Sequence, residues 1–222
     1  MENIIAGYDA AVFDMDGVIF DSEYAVLLCW RETAEKYGLK DLEKTYYKCI
    51  GTTIERTREI MLETFGGEFP YDAYAKEVGI MFHERYDDGR LPVKTGVREL
   101  LCFLKRENKK IALASSTKRN IVERELGWAG LREYFDMLVC GDMVQRSKPA
   151  PDIFLKACER LGTAPERTYA IEDSYNGIRA AAAGGLRPIM VPDMLPATEE
   201  MRALAEAVLP DLIRVREYLG RR

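Results

Sequence analysis

The run Ala11-Val12-Phe13-Asp14-Met15-Asp16-Gly17-Val18 places two carboxylates one residue apart directly behind an apolar stretch, with a glycine after them. The apolar part has the composition of a short buried strand, and the glycine lets the chain turn away. Two carboxylates at the end of a buried strand repel each other, so the pair is costly unless a cation or a substrate sits between them. Three further polar clusters also follow apolar runs: Ser115-Ser116-Thr117-Lys118, then Asp142 with Arg146-Ser147-Lys148-Pro149-Ala150-Pro151-Asp152, then Glu172-Asp173-Ser174. This inventory suits phosphoryl transfer through an aspartate. A carboxylate attacks phosphorus to form an aspartyl phosphate. It cannot approach an anionic phosphate without charge neutralisation. A hard cation held by oxygen ligands, with Mg²⁺ the natural choice, supplies part of it. A lysine supplies more as a point charge, and hydroxyls and backbone N–H groups bind the remaining phosphate oxygens. A second carboxylate two residues from the nucleophile can protonate the leaving group and later activate water.

These groups need a scaffold that brings them to one place. Residues 10–13, 111–114, 137–140, 169–171 and 188–191 read as buried parallel strands, and 97–105, 119–126, 153–161 and 176–183 have helical spacing. From about residue 96 onward strand and helix alternate, which predicts an α/β fold with a Rossmann-like, mostly parallel sheet and helices on both faces. Ligands of such sheets bind outside the carboxyl ends of the strands, where all four clusters lie. Residues 21–91 break the alternation and read as helices at 23–37, 53–65 and 71–87, punctuated by Gly38, Gly51, Gly66-Gly67 and Pro70. A simple βαβ unit returns to its sheet in ~30 residues. The segment is therefore expected to be an all-helical cap over the end of the first strand, giving a catalytic core of 1–20 and 91–222 and a cap of 21–90.

The chain has 222 residues, 47% hydrophobic and 31% charged, enough for a sizeable core. Its net charge of −5 disfavours nucleic acid and anionic membrane as partners, so an anionic substrate must be attracted by a local site. Five scattered cysteines form no C-x-x-C pair and read as small buried hydrophobes in a reducing compartment. No basic leader precedes a long apolar run, and no run reaches the ~20 residues of a membrane helix. A cytoplasmic monomer acting on a small metabolite is expected.

Taken in order, Asp14-Met15-Asp16-Gly17-Val18, Ser115 after its strand, Lys148 in Ser-Lys-Pro-Ala-Pro-Asp, and Glu172-Asp173-Ser174 resemble the four motifs of the haloacid dehalogenase superfamily. The likeness is to its phosphatase and β-phosphoglucomutase branch with an inserted helical cap, and it covers nearly the whole chain. It implies that Asp14 is the nucleophile and a Mg²⁺ ligand. Asp16 is then the general acid/base, with its backbone carbonyl on the metal. Ser115 and the N–H of Ser116 bind the transferring phosphoryl group, and Lys148 holds Asp14 and phosphate together. Asp173 ligates Mg²⁺, with Glu172 in direct contact with the metal or one layer behind. The family's dehalogenases lack the second aspartate, so Asp16 points to phosphoryl transfer.

Two departures bear on the acceptor. β-Phosphoglucomutases usually carry a histidine shortly after the first motif, and none occurs from Asp21 to Leu27. They also place basic residues around a cap glycine to clamp a second phosphate, whereas here Cys49-Ile50-Gly51-Thr52-Thr53 is uncharged. The expectation is a Mg²⁺-dependent phosphatase. A sugar phosphomutase is the alternative within the same chemistry. A non-catalytic phospho-ligand binding protein is the third reading, opposed by Asp16, since binding alone requires no acid/base. Elsewhere, Ser115 is also placed to cap the following helix, and Ser116 and Thr117 read as cap or turn side chains. His83 reads as structural, Trp30 and Trp128 as core, and 55–59 as a solvated helix face from which Arg56 or Arg58 could reach a substrate.

Overall fold

The computed structural model describes residues 7–50, 52 and 54–222. The chain divides into two compact units: residues up to Phe20 together with Val93–Arg222, and Asp21–Pro92.

The larger unit is built on a six-stranded sheet of β1 (Ala10–Phe13), β2 (Lys110–Ser115), β3 (Met137–Cys140), β4 (Thr168–Glu172), β5 (Arg187–Met190) and β6 (Ala207–Val208). The order is β3-β2-β1-β4-β5-β6, and every pairing is parallel. β1 therefore lies where the strand order reverses, the point at which such sheets open a crevice at their carboxyl ends. Around the sheet run α5 (Val97–Arg106), α6 (Arg119–Trp128), α7 (Asp152–Leu161), α8 (Tyr175–Ala183), α9 (Glu199–Leu204) and α10 (Leu212–Leu219). Alternate strand residues, Ala10, Val12, Ala112, Ala114, Val139 and Ala170, pack with α7 and α8 in one cluster. The intervening Ala11, Phe13, Ile111 and Leu113 are equally buried, as strands covered on both faces require. α5 packs on β2 and carries α10.

The smaller unit comprises α1 (Ser22–Lys36), α2 (Leu42–Cys49), α3 (Ile54–Phe65) and α4 (Tyr71–Tyr86). Its centre is aromatic. Trp30 meets Tyr46 and Tyr74 edge-on, Tyr37 meets Tyr74, and the Tyr74 hydroxyl donates to the Trp30 carbonyl at 2.9 Å. Such edge contacts with a satisfied hydroxyl let a small helical unit fill a core with few side chains.

Several expectations are corrected. α2, α9, β6 and α10 lie outside the elements read from the sequence. Trp128 is 40% exposed, its ring lying beneath the Arg124 guanidinium, whereas Trp30 is core as expected. Cys102 is exposed beside the Tyr134 hydroxyl, and the other four cysteines are buried. The first three residues, Gly51 and Thr53 lie outside the described residues, and with them the N-terminal and cap-glycine readings. Among the described residues no helix is long and apolar enough to cross a membrane.

Candidate active site

The register of the sheet explains why the polar clusters meet. Phe13 is level with Leu113 on one side and Ile171 on the other. The Asp14 N–H continues the ladder to the Ile171 carbonyl at 3.0 Å, so Asp14 stands between Ala114 and Glu172. Beyond it the chain folds into a tight turn, with Ile19 and Phe20 N–H both on the Met15 carbonyl and Gly17 N–H on Phe20. Gly17 has φ +78°, and a Cβ there would stand 2.3 Å from Asp173 Oδ2. Only glycine both adopts that backbone without strain and leaves room for the carboxylate.

Lys148, just before α7, joins three strand ends. Its ammonium donates to Asp14 Oδ1 at 2.5 Å, Glu172 Oε1 at 2.7 Å and the Ala114 carbonyl at 3.0 Å. Glu172 is fully buried, and its second oxygen accepts from the Asp173 N–H, the Ser174 N–H and the Ser174 hydroxyl at 2.9–3.0 Å. Ser174 also caps α8, accepting from the Gly177 N–H at 3.0 Å. The Glu172 carboxylate thus sits at a helix N-terminus, where negative charge is favoured. It lies so close to the α8 backbone that a Cβ on Gly177 would stand 1.8 Å from Oε1.

Ser115 ends β2 and is fully buried. It does not cap α6, whose first residue is Arg119 with Lys118 before it. Instead its hydroxyl accepts the Thr117 N–H at 3.0 Å, which leaves the hydroxyl proton available to an anion. Ser116 is exposed at the bend. The Thr117 hydroxyl, read from the sequence as part of a turn, donates to Asp16 Oδ2 at 3.1 Å. A hydroxyl two residues past Ser115 at a strand end was the only signal of this in the sequence. Asp142, beyond β3, accepts the Arg119 N–H at 3.1 Å at the start of α6. In the helical unit Arg56 pairs with Glu59 and Glu63, and Arg58 with Asp72, all on exposed surface. His83 pairs with Asp87 one turn on, also on the surface.

The electrostatics follow from burial. Burial is the strongest influence on Asp14 and pushes its carboxyl up to about 8; the Glu172 and Asp16 charges push the same way and Lys148 opposes them. Burial also works against the Lys148 ammonium, yet Asp14 and Glu172 hold it charged, above the ordinary lysine range. Asp14, Asp16, Glu172 and Asp173 stand against this one lysine, an excess of negative charge that calls for a cation. Asp14, Glu172 and Asp173 each offer a carboxylate oxygen within 4.8 Å of the others, and a set of hard oxygen donors fits Mg²⁺.

A family model of haloacid dehalogenase-like hydrolases matches residues 11–191. The chain is 33% identical over 215 residues to a phosphorylated carbohydrates phosphatase of Thermotoga maritima, covering 96% of this chain and 97% of that one. It is 31% identical over 185 residues to the β-phosphoglucomutase of Bacillus subtilis, covering 80% of each. A solved hydrolase of the same family from Deinococcus radiodurans, with bound phosphate and sodium, superposes with a TM-score of 0.83 at 27% identity, over 97% of this chain and 96% of that one. With the strand-end carboxylates, the buried lysine and the sheet order already in place, these likenesses make the chain a member of the haloacid dehalogenase-like hydrolase family and an enzyme of its phosphatase and β-phosphoglucomutase-like group.

Proposed function

We propose that the protein is a Mg²⁺-dependent phosphatase that hydrolyses a small phosphorylated sugar or a similar metabolite through an aspartyl phosphate on Asp14. One observation carries the reading: a buried Asp14 at the end of the central strand, bonded to Lys148, with Asp16 two residues further on. An Asp14 carboxylate oxygen attacks phosphorus as the bond from phosphorus to the leaving oxygen breaks, and Asp16 delivers a proton to that oxygen. Water then attacks the aspartyl phosphate. Asp16 takes its proton, and phosphate leaves with Asp14 restored. Lys148 offsets the charge of Asp14 and the incoming phosphate, and the Ser115 hydroxyl with the Ser116 N–H binds phosphoryl oxygens.

Asp14 and Asp173, with the Asp16 carbonyl, would hold Mg²⁺. Glu172, whose two oxygens are committed to Lys148 and to the turn before α8, is assigned to holding Lys148 and orienting Asp173. Mg²⁺ bound there would offset charge on the transferring phosphoryl group. The helical unit Asp21–Pro92 is assigned to substrate selection and to excluding bulk water. The absence of a histidine from Asp21 to Leu27 and the uncharged run 49–54 around Gly51 support water as the acceptor. The Thermotoga maritima relative, a phosphatase of phosphorylated carbohydrates, supports the substrate class.

The test is phosphate release from p-nitrophenyl phosphate and from a panel of sugar phosphates, with and without Mg²⁺, in wild type and Asp14→Asn. Mg²⁺-dependent release abolished by the substitution is expected. Equal rates in the two proteins would remove Asp14 as the nucleophile. Conversion of a hexose 1-phosphate to its 6-phosphate without phosphate release would assign a mutase instead.

A further inference from the structure

We propose that Thr117 is a positioning residue for Asp16, selecting which carboxylate oxygen carries the proton to the leaving group. This rests on the phosphatase reading above. Thr117 is held at three points. Its N–H bonds the Ser115 hydroxyl at 3.0 Å, its carbonyl accepts the Gly141 N–H at 3.0 Å, and its own hydroxyl donates to Asp16 Oδ2 at 3.1 Å. The first two bonds fix the backbone on both sides of the side chain, so one χ1 setting of the β-branched side chain brings the hydroxyl to Asp16.

The chemistry follows from what a carboxyl group can do. A general acid must carry its proton on one oxygen and present that oxygen to the leaving group. A donor on Oδ2 favours the arrangement in which Oδ2 accepts and Oδ1 holds the proton. Thr117 therefore leaves Oδ1 as the oxygen that gives a proton to the departing alkoxide and later takes one from water. Asp16 follows the β1 end in a tight turn of small and apolar residues, and it is only half-buried, so the contact from the turn after β2 restricts its side-chain rotation. The same turn presents Ser115 to the phosphoryl group. One three-residue segment thus sets both the phosphate and the acid that serves it.

The test separates this role from phosphate binding and from general structure by changing how much the leaving group needs a proton. p-Nitrophenolate departs readily without one, and phenolate does not. In Thr117→Val, kcat/KM for phenyl phosphate should fall roughly tenfold, as expected when the hydrogen bond that orients the acid is lost, and that for p-nitrophenyl phosphate by no more than about threefold. Thr117→Ser, which keeps the hydroxyl, should restore both to within about twofold of wild type. Asp16→Asn should steepen the same leaving-group dependence, and adding Thr117→Val to it should cost little more, since the two act as a unit. Equal losses on both esters, or losses that add in the double variant, would overturn the proposal, the former marking Thr117 as a phosphate ligand or a structural residue. Wild type with no Asp14-dependent turnover of either ester would overturn the phosphatase reading and this inference with it, a result distinct from the other two.

Discussion

At the carboxyl end of β1 Asp14 and Glu172 are buried and share one lysine; in the helical unit the charged groups are exposed and pair on the surface. Lys148 and Asp14 are 8% and 11% exposed at the side chain, and Glu172 is fully enclosed. Arg31–Glu43, Arg56–Glu59 and Arg58–Asp72 in the helical unit are all about half exposed or more. In water such pairs contribute little, and the unit is held by its aromatic centre. The buried set is different. It is not there for stability, because an excess of carboxylates out of water is costly. It persists because backbone N–H groups, one ammonium and close-fitting glycines hold it in place. Between these two regions, the depth of a charge separates the groups that serve the site from those that only meet solvent.

The largest effect is expected at the centre of the buried set. Lys148→Met leaves Asp14 and Glu172 without their shared cation. It should abolish phosphate release and destabilise the metal-free protein by about 3–5 kcal/mol, measured by urea unfolding. Retained activity would mean that Lys148 is a bystander. Gly177→Ala comes next, since its methyl would collide with Glu172 Oε1. A loss of about 2–3 kcal/mol is expected, whereas Gly67→Ala in the helical unit, with nothing within 4 Å of its Cβ, should stay within about 0.5 kcal/mol of wild type.

A half-buried pair should fall between the extremes. Glu206, away from the strand ends, accepts two bonds from Arg187 at 2.6 and 2.8 Å and one each from the Tyr169 and Tyr218 hydroxyls. Burial would raise its carboxyl, but these donors overcome it and hold it below the ordinary value of 4.5. Because the folded value is the lower one, the stabilisation is present above pH 4.5 and is lost as pH falls through the depressed value. Glu206→Gln should cost about 1 kcal/mol at pH 7 after solvent screening, and the gap from wild type should close as the pH is lowered through 4.5 and below. A gap that widened on acidification would reverse the sign. The smallest effect is Arg56→Ala, which should leave the thermal midpoint unchanged within error.

What was legible in the sequence follows the same division. Asp14, Glu172 and Asp173 stood out because carboxylates directly behind buried strands are out of place, and the sheet register brings them together. Lys148, past β3 and before α7, stood out only through its place in Ser-Lys-Pro-Ala-Pro-Asp, which resembles a family motif. Thr117 did not stand out, because a threonine after two serines is ordinary turn chemistry and its partner is a hundred residues away. α2 was missed because Leu42–Cys49 is a short segment containing two tyrosines and a threonine, without a long apolar stripe. Trp128 misled because a large aromatic side chain suggests a core position, while tertiary packing put an arginine over it and left it half in water.

The most direct test of the central claim is to trap the phosphorylated protein. Asp14 is the one strand-end carboxylate assigned to attack phosphorus. Rapid acid quench during turnover of p-nitrophenyl phosphate with Mg²⁺, followed by peptide mass spectrometry, should place an acid-stable, base-labile phosphoryl group on Asp14 and leave Asp16, Glu172 and Asp173 unmodified. Phosphorylation at any of those other carboxylates, with Asp14 unmodified, would contradict it.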